Sequence, residues 1–231
     1  FLKRGLSRRF LLLVAGASFA LAGCPTGMAP QGGDGGTSTP GTYTIEGDYI
    51  LGRADASITV LEYASVACPA CANWHATVYP DFKKEFVDTG KVNYVFRPFP
   101  TSPIEIADTG HKLAYCAPRE DYFKNIKLQF DRQRQIFDMM KKGQLRQVYV
   151  SLAKASGLSE EEFISCITDA DVQKRYDDVV QLGSDLGVTS TPTFFINGVK
   201  SKVYTIEDMR AAILPMLGEA VPDPATDKTE D

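Results

Sequence analysis

The order of apolar runs predicts an α/β fold made of a βαβ unit, a helical block and a closing ββα unit. Three observations carry that expectation. The β-rich run Ile58-Thr59-Val60-Leu61-Glu62-Tyr63 leads directly into Cys68-Pro69-Ala70-Cys71. Val92 to Phe96 alternate as a second strand after Thr89-Gly90. Thr193 to Ile196 and Val199 to Tyr204 flank Asn197-Gly198, a dipeptide suited to a two-residue hairpin turn.

The elements follow in order. Pro69 fits the first turn of a helix, where its missing N–H would have no partner in any case. Trp74, Val78, Phe82 and Phe86 recur every four residues, which gives one continuous helix an apolar face, and Thr89-Gly90 ends it. Strand, helix and strand together favour a right-handed crossover with the strands parallel. From Ile104 to Leu186 the pattern is helical. Tyr122, Phe123, Ile126 and Phe130 make one stripe; Leu145, Val148, Leu152 and Ala155 make another; Val172, Tyr176, Val179 and Val180 make a third. Ser159 with Glu162 reads as a capping box, opening a helix that carries Phe163, Cys166 and Ile167. Ile206, Met209, Ile213 and Leu217 form the closing helix.

The flanks read as targeting and tethering segments. Lys3, Arg4, Arg8 and Arg9 precede a short apolar run ending at Ala22, the pattern of a secretory signal. Leu21-Ala22-Gly23-Cys24 resembles the lipobox of bacterial lipoproteins, in which the cysteine is acylated; a plain Cys24 in a signal cut elsewhere is the alternative. Ser7-Arg8-Arg9-Phe10-Leu11 has a weaker likeness to a twin-arginine signal. The expected organisation is a signal peptide with lipobox at 1–24 and a flexible linker at 25–42. A discontinuous sheet-bearing domain at 43–104 and 187–218 holds an inserted helical domain at 105–186, and a disordered tail follows at 219–231. The expected location is the periplasm or cell envelope. The formal charge of −4, with no basic stripe beyond the leader, argues against a nucleic-acid partner. Of five cysteines, setting Cys24 aside leaves an even number, which suits an oxidising compartment.

The chemistry centres on Cys68 and Cys71. A helix N-terminus directs unpaired N–H groups and partial positive charge at the first sulfur, favouring the reactive thiolate. Cys68 is therefore the candidate nucleophile, and Cys71 the more buried resolving thiol. The alternatives are a zinc half-site or two inert core thiols. A structural zinc site needs four ligands, and the chain has no second Cys-x-x-Cys and only two histidines. No metal and no cofactor beyond the dithiol is expected. Glu62, on the strand that leads to the site, is a candidate buried general base, since a buried carboxylate lacking a cation has a raised pKa; an exposed strand Glu is the alternative. His75 reads as a surface helix residue, His111 carries no assigned role, and Trp74 reads as a core or rim aromatic.

Taken together, these motifs resemble the thioredoxin fold with an inserted helical domain, as in the DsbA family of exported thiol-disulfide oxidoreductases. The likeness covers residues 43–218 and rests on Val60-Leu61-Glu62-Tyr63 before Cys68-Pro69-Ala70-Cys71, and on Gly187-Val188-Thr189-Ser190-Thr191-Pro192-Thr193-Phe194-Phe195-Ile196-Asn197-Gly198. The resemblance implies that Pro192 is the cis-proline beside the sulfurs, with Thr191 and Pro192 contacting substrate. It implies that Glu62 assists proton transfer at Cys71, and that Cys116 and Cys166 form a structural disulfide; two free buried thiols are the alternative. It implies disulfide formation in reduced secreted proteins and reoxidation by a membrane partner resembling DsbB; the lipobox would anchor the protein through Cys24, and with no dimerisation segment to be read a monomer is expected. Two departures keep a reductase or isomerase role open: Ala70 stands where many members have His, and Thr191 where strong oxidases often carry Val. A non-catalytic, membrane-tethered chaperone-like module is the remaining alternative.

Overall fold

A computed structural model describes residues 43–222. The expected signal segment with Cys24, the linker, and residues 223–231 of the tail lie outside the described residues. A five-stranded sheet runs in the order β1-β3-β2-β4-β5. Its strands are β1 (Ile50–Leu51), β2 (Ile58–Ala64), β3 (Val92–Pro98), β4 (Thr193–Ile196) and β5 (Val199–Ser201). Strands β2 and β3 are parallel, as the βαβ reading requires; the other pairs are antiparallel. The two-residue edge strand β1 was not expected, and β5 ends at Ser201, short of the expected Tyr204.

The single helix expected from Pro69 through Phe86 is broken. Helix α1 (Pro69–Thr77) stops at Val78, and α2 (Tyr79–Phe82) restarts beyond it. Pro80 explains the break, because it has no N–H to donate to the helical ladder. A π-type turn over Lys83–Val87 follows, and Gly90, at φ +75°, swings the chain into β3.

The helical block comprises α3 (Ile104–Cys116), α4 (Tyr122–Asp131), α5 (Gln133–Lys141), α6 (Leu145–Ala155), α7 (Glu160–Ile167) and α8 (Ala170–Asp185); α9 (Ile206–Ile213) follows β5, and a 3-10 turn over Leu214–Leu217 follows α9. The Ser159–Glu162 capping box forms as read, and Thr205 with Asp208 makes a second one at α9. The α6 stripe is rotated from expectation: Val148, Tyr149, Leu152 and Ala153 are buried, whereas Ala155 is exposed. The Tyr149 hydroxyl pulls the helix round by donating to the Ile106 carbonyl at 2.8 Å.

All of β2 is buried, because both sheet faces are covered. Val60, Phe82, Phe86, Tyr94, Phe194 and Met209 share one core. Leu61, Tyr63, Val95 and Phe195 pack on the opposite face with Val179 of α8. A third core lies within the helical block around Ile106, Ile136, Leu152 and Phe163. On the α8 side, the buried Arg97 side chain donates to Asp48 at 3.0 and 2.7 Å, to the Tyr63 hydroxyl at 3.1 Å and to the Tyr43 carbonyl at 3.2 Å. This ties the segment before β1 to the sheet. Gly110 lets α3 close onto the chain after β2: a Cβ there would sit 2.2 Å from Gln129 Oε1 and 2.6 Å from Val66 Cγ2.

Candidate active site

Cys68 caps the N-terminus of α1. Its sulfur accepts the Cys71 backbone N–H at 3.3 Å, and its thiol donates to the Thr191 carbonyl at 3.4 Å. Thr191 precedes Pro192 across a cis peptide bond. The Thr191 hydroxyl is buried with no hydrogen-bond partner, so it is available to a thiolate at Cys68. The Cys68 pKa is lowered from 9.0 to about 6, chiefly by the Cys71 thiol working against burial; the Thr191 hydroxyl and the N–H groups of Cys71 and Ala70 add to the effect.

Cys71, one helical turn on, is in the opposite condition. It is 0% exposed against 7% for Cys68. Burial, with Cys68 and Glu62 nearby, pushes its thiol far above the ordinary range, so it keeps its proton. Both cysteines are free. The pair thus presents one thiol primed as a thiolate, at the edge of the core, beside one fully enclosed thiol held protonated, which is the asymmetry that thiol–disulfide exchange requires.

Glu62 lies in the middle of the sheet, with Phe96 and Phe194 as its register neighbours. It is 0% exposed, and it is not without a basic partner. His75 Nε2 lies 3.0 Å from Glu62 Oε2, and the Tyr94 hydroxyl donates to the same oxygen. Glu62 Oε1 is buried with no partner. Here the expectation for His75 is corrected. It is not a surface residue but is buried against Phe130 of α4, with ring centroids 4.3 Å apart, and against Tyr79 at 4.8 Å. A sequence signal for this existed: residue 75 is four positions after Cys71 and so shares its helix face.

Sequence reasoning also missed Gln133. Its side-chain amide reaches from α5 into the loop before α1 and donates to the Val66 and Cys68 carbonyls, both at 2.9 Å. Ser65 Oγ accepts the N–H groups of Ala67 and Thr101 at 3.1 and 3.3 Å. The helical block therefore holds the backbone on which the Cys68 thiol is mounted. Ser102–Pro103, at the start of α3, is a second cis bond with no sequence signal.

The remaining candidates make no hydrogen bond to either free cysteine. Cys116 of α3 and Cys166 of α7 are disulfide-bonded, with their Cα atoms 5.9 Å apart. Trp74 is buried in the core beside Phe194. His111 is buried with neither ring nitrogen bonded, and burial lowers its pKa to about 3, so it stays neutral. Among the described residues there is no cluster of His, Cys, Asp and Glu that could hold a metal ion, and no helix long and apolar enough to cross a membrane.

Comparison with known proteins agrees with this geometry. Residues 44–214 match the family model described as thioredoxin. A putative protein-disulfide oxidoreductase of Rickettsia bellii is 29% identical over 177 residues, covering 74% of this chain and 66% of the relative, so the chain spans just under two thirds of that protein's length. The crystal structure of Wolbachia pipientis α-DsbA1 superposes with a TM-score of 0.68 at 28% identity, covering 78% of this chain and 96% of that one. BdbD of Bacillus subtilis shares the fold, with a TM-score of 0.58 at 21% identity over 76% of this chain and 95% of that one.

Proposed function

Because this chain belongs to the thioredoxin family and has the DsbA-like fold, we propose that it is an exported thiol–disulfide oxidoreductase that inserts disulfides into secreted proteins through Cys68 and Cys71. The observation that carries the reading is the contrast between the two sulfurs: Cys68, at the helix end, has its pKa lowered to about 6, and Cys71 is held protonated. Its relatives' names as protein-disulfide oxidoreductases support the same chemistry.

The reaction starts from the oxidised Cys68–Cys71 disulfide. A substrate thiolate attacks the Cys68 sulfur, and the breaking bond leaves its electron pair on Cys71, which takes up a proton. A second substrate thiolate then attacks the substrate sulfur of the mixed disulfide. The new disulfide leaves with the substrate, and Cys68 departs as a thiolate, a good leaving group because of its low pKa. Thr191 and Pro192 flank the reacting sulfur and meet the substrate backbone there. Glu62, whose charge acts on Cys71 and whose Oε1 is buried with no partner, exchanges the Cys71 proton. A membrane partner resembling DsbB removes the two electrons. Export by the leader, anchoring through an acylated Cys24, reach through the 25–42 linker and action as a monomer complete the proposal. Cys116–Cys166 serves as its structural disulfide.

The test is to mix the oxidised protein with a reduced two-cysteine peptide and to measure its potential in glutathione buffers. Peptide oxidation with the gain of two protein thiols, and a potential near the roughly −120 mV of DsbA, support a disulfide donor. A potential near the roughly −270 mV of thioredoxin makes the chain a reductase, the role that Ala70 and Thr191 favour. No exchange above a Cys68→Ser control leaves a non-catalytic binding module.

A further inference from the structure

Glu62 has no path to water of its own. It is completely buried between Phe96 and Phe194, yet the proton of Cys71 must come from solvent and return to it in each catalytic cycle. The ionisable groups around it come from three elements. Cys71 and His75 belong to α1, Tyr79 to α2 and Tyr94 to β3. Strand β4 presents Phe194, and α4 presents Phe130, neither of which ionises. Tyr94 is fully enclosed. Desolvation and Glu62 hold the phenols of Tyr94 and Tyr79 well above their ordinary pKa, so both remain fixed, neutral neighbours.

His75 differs from all of them. Its Nε2 bonds to Glu62 Oε2, and its side chain keeps 6% exposure, whereas that of Glu62 has none. Nδ1 is not among the buried polar atoms lacking a partner, whereas both nitrogens of His111 are. An imidazole can release a proton from one nitrogen while gaining one at the other. We propose that His75 is a positioning residue that connects Glu62 to solvent and carries the proton that Cys71 gains or loses in each exchange. This rests on the reading of Glu62 as the proton partner of Cys71.

The transfers balance. When a substrate thiolate breaks the Cys68–Cys71 bond, the electron pair goes to the Cys71 sulfur. Glu62 gives Cys71 a proton, His75 restores the one on Glu62, and water restores the one on His75. The net change is one solvent proton on Cys71. The order reverses when Cys71 attacks a mixed disulfide at Cys68. Tyr94 donates to the same Oε2 that faces His75, leaving Oε1 as the carboxylate oxygen with no partner.

The experiment follows single-turnover reduction of the oxidised protein by dithiothreitol from pH 5 to 9, by acid quench, thiol labelling and mass, for the unchanged chain, H75Q, E62Q and the double variant. Gln at 75 retains a hydrogen-bond donor but cannot relay a proton. H75Q is expected to slow the step between ~10-fold and ~100-fold, the lower reach of general acid–base effects, and to flatten its pH profile. The Cys68 thiolate titration, read by absorbance, should stay at about 6, and the double variant should be no slower than E62Q. An H75Q profile that overlies that of the unchanged chain while E62Q is slowed overturns the role of His75 alone, as does strictly additive slowing in the double variant. An unslowed E62Q overturns the Glu62 reading beneath it. Should H75Q fail to fold, H75A with added imidazole replaces it: a rate that rises with imidazole supports the relay, and a flat response overturns it.

Discussion

Cys68 and Cys71 stand three residues apart as free thiols, whereas Cys116 and Cys166, 50 residues apart, are joined. The first pair sits where a buried strand meets a helix N-terminus, with a carboxylate and an imidazole behind it. The second links Cys116, the last residue of α3, to Cys166 within α7, so neither sulfur belongs to the first turn of its own helix. Closing a loop of 50 residues removes much freedom from the unfolded chain, and closing one of three removes very little. The same bond therefore acts as an entropic brace in one place and as a reagent in the other. The difference lies in loop length and in what surrounds the sulfur.

The comparison breaks if the pairs can exchange roles. The largest effect expected is at Cys68: Cys68→Ser should abolish peptide oxidation, and Cys71→Ser, given the oxidised peptide, should accumulate a mixed disulfide as its Cys68 thiolate attacks the peptide disulfide and one peptide thiolate leaves, visible by mass under non-reducing conditions. A Cys116→Ala/Cys166→Ala variant should still oxidise the peptide. It should instead lose about 4 kcal/mol of unfolding free energy by the chain-entropy relation for its loop, and no less than about 2 if residual structure offsets part of that. Urea unfolding of the oxidised variant checks this. An unchanged midpoint would mean that the bond does not brace the block.

Gln133 joins the two regions. Gln133→Leu keeps similar bulk but strips the Val66 and Cys68 carbonyls of their shared donor, at a cost of about 1–3 kcal/mol for each acceptor left buried and unpaired. Because the Cys68 carbonyl belongs to the residue whose sulfur reacts, loosening it should also raise the Cys68 pKa above about 6. Thiolate absorbance against pH reads this directly. A destabilised variant with an unmoved titration would make Gln133 a fastener for the fold alone.

What was legible in the sequence was local. An apolar run, a proline at a helix start, a capping box and an Asn-Gly turn each encode their structure within a few residues, so β2, the start of α1, α7 and the turn between β4 and β5 lie where they were read. Strand β1 has only Ile50 and Leu51, and it exists because β3 offers it an edge. The break at Val78 follows from Pro80, a local signal that the four-residue repeat of apolar side chains overrode. The asymmetry of the dithiol followed from its position at a helix end. Its support did not: His75 is buried only because α4 brings Phe130 against it, and Gln133 reaches the site only because α5 folds over the loop before α1. Those contacts join residues far apart in the chain, which no local pattern encodes.

The last effect expected sharpens the contrast between a reagent and a brace through its pH dependence. In the reduced protein the Cys68 pKa is about 6, and 9.0 is the ordinary value taken for the unfolded chain. A lowered acid pKa stabilises the folded state fully above the unfolded value, and that stability is lost as pH falls through the folded value. The reduced form should therefore gain stability from pH 6 to 9, an increment that the oxidised form, with no thiol at Cys68, cannot have. Parallel Tm measurements of both forms at pH 5.5, 7 and 8.5 should show the difference moving steadily toward the reduced form as pH rises. Removing the Cys116–Cys166 bond should leave this slope unchanged, since those sulfurs do not titrate in the native protein. A slope that vanished with that bond would place the helical brace inside the electrostatics of the active site rather than beside it.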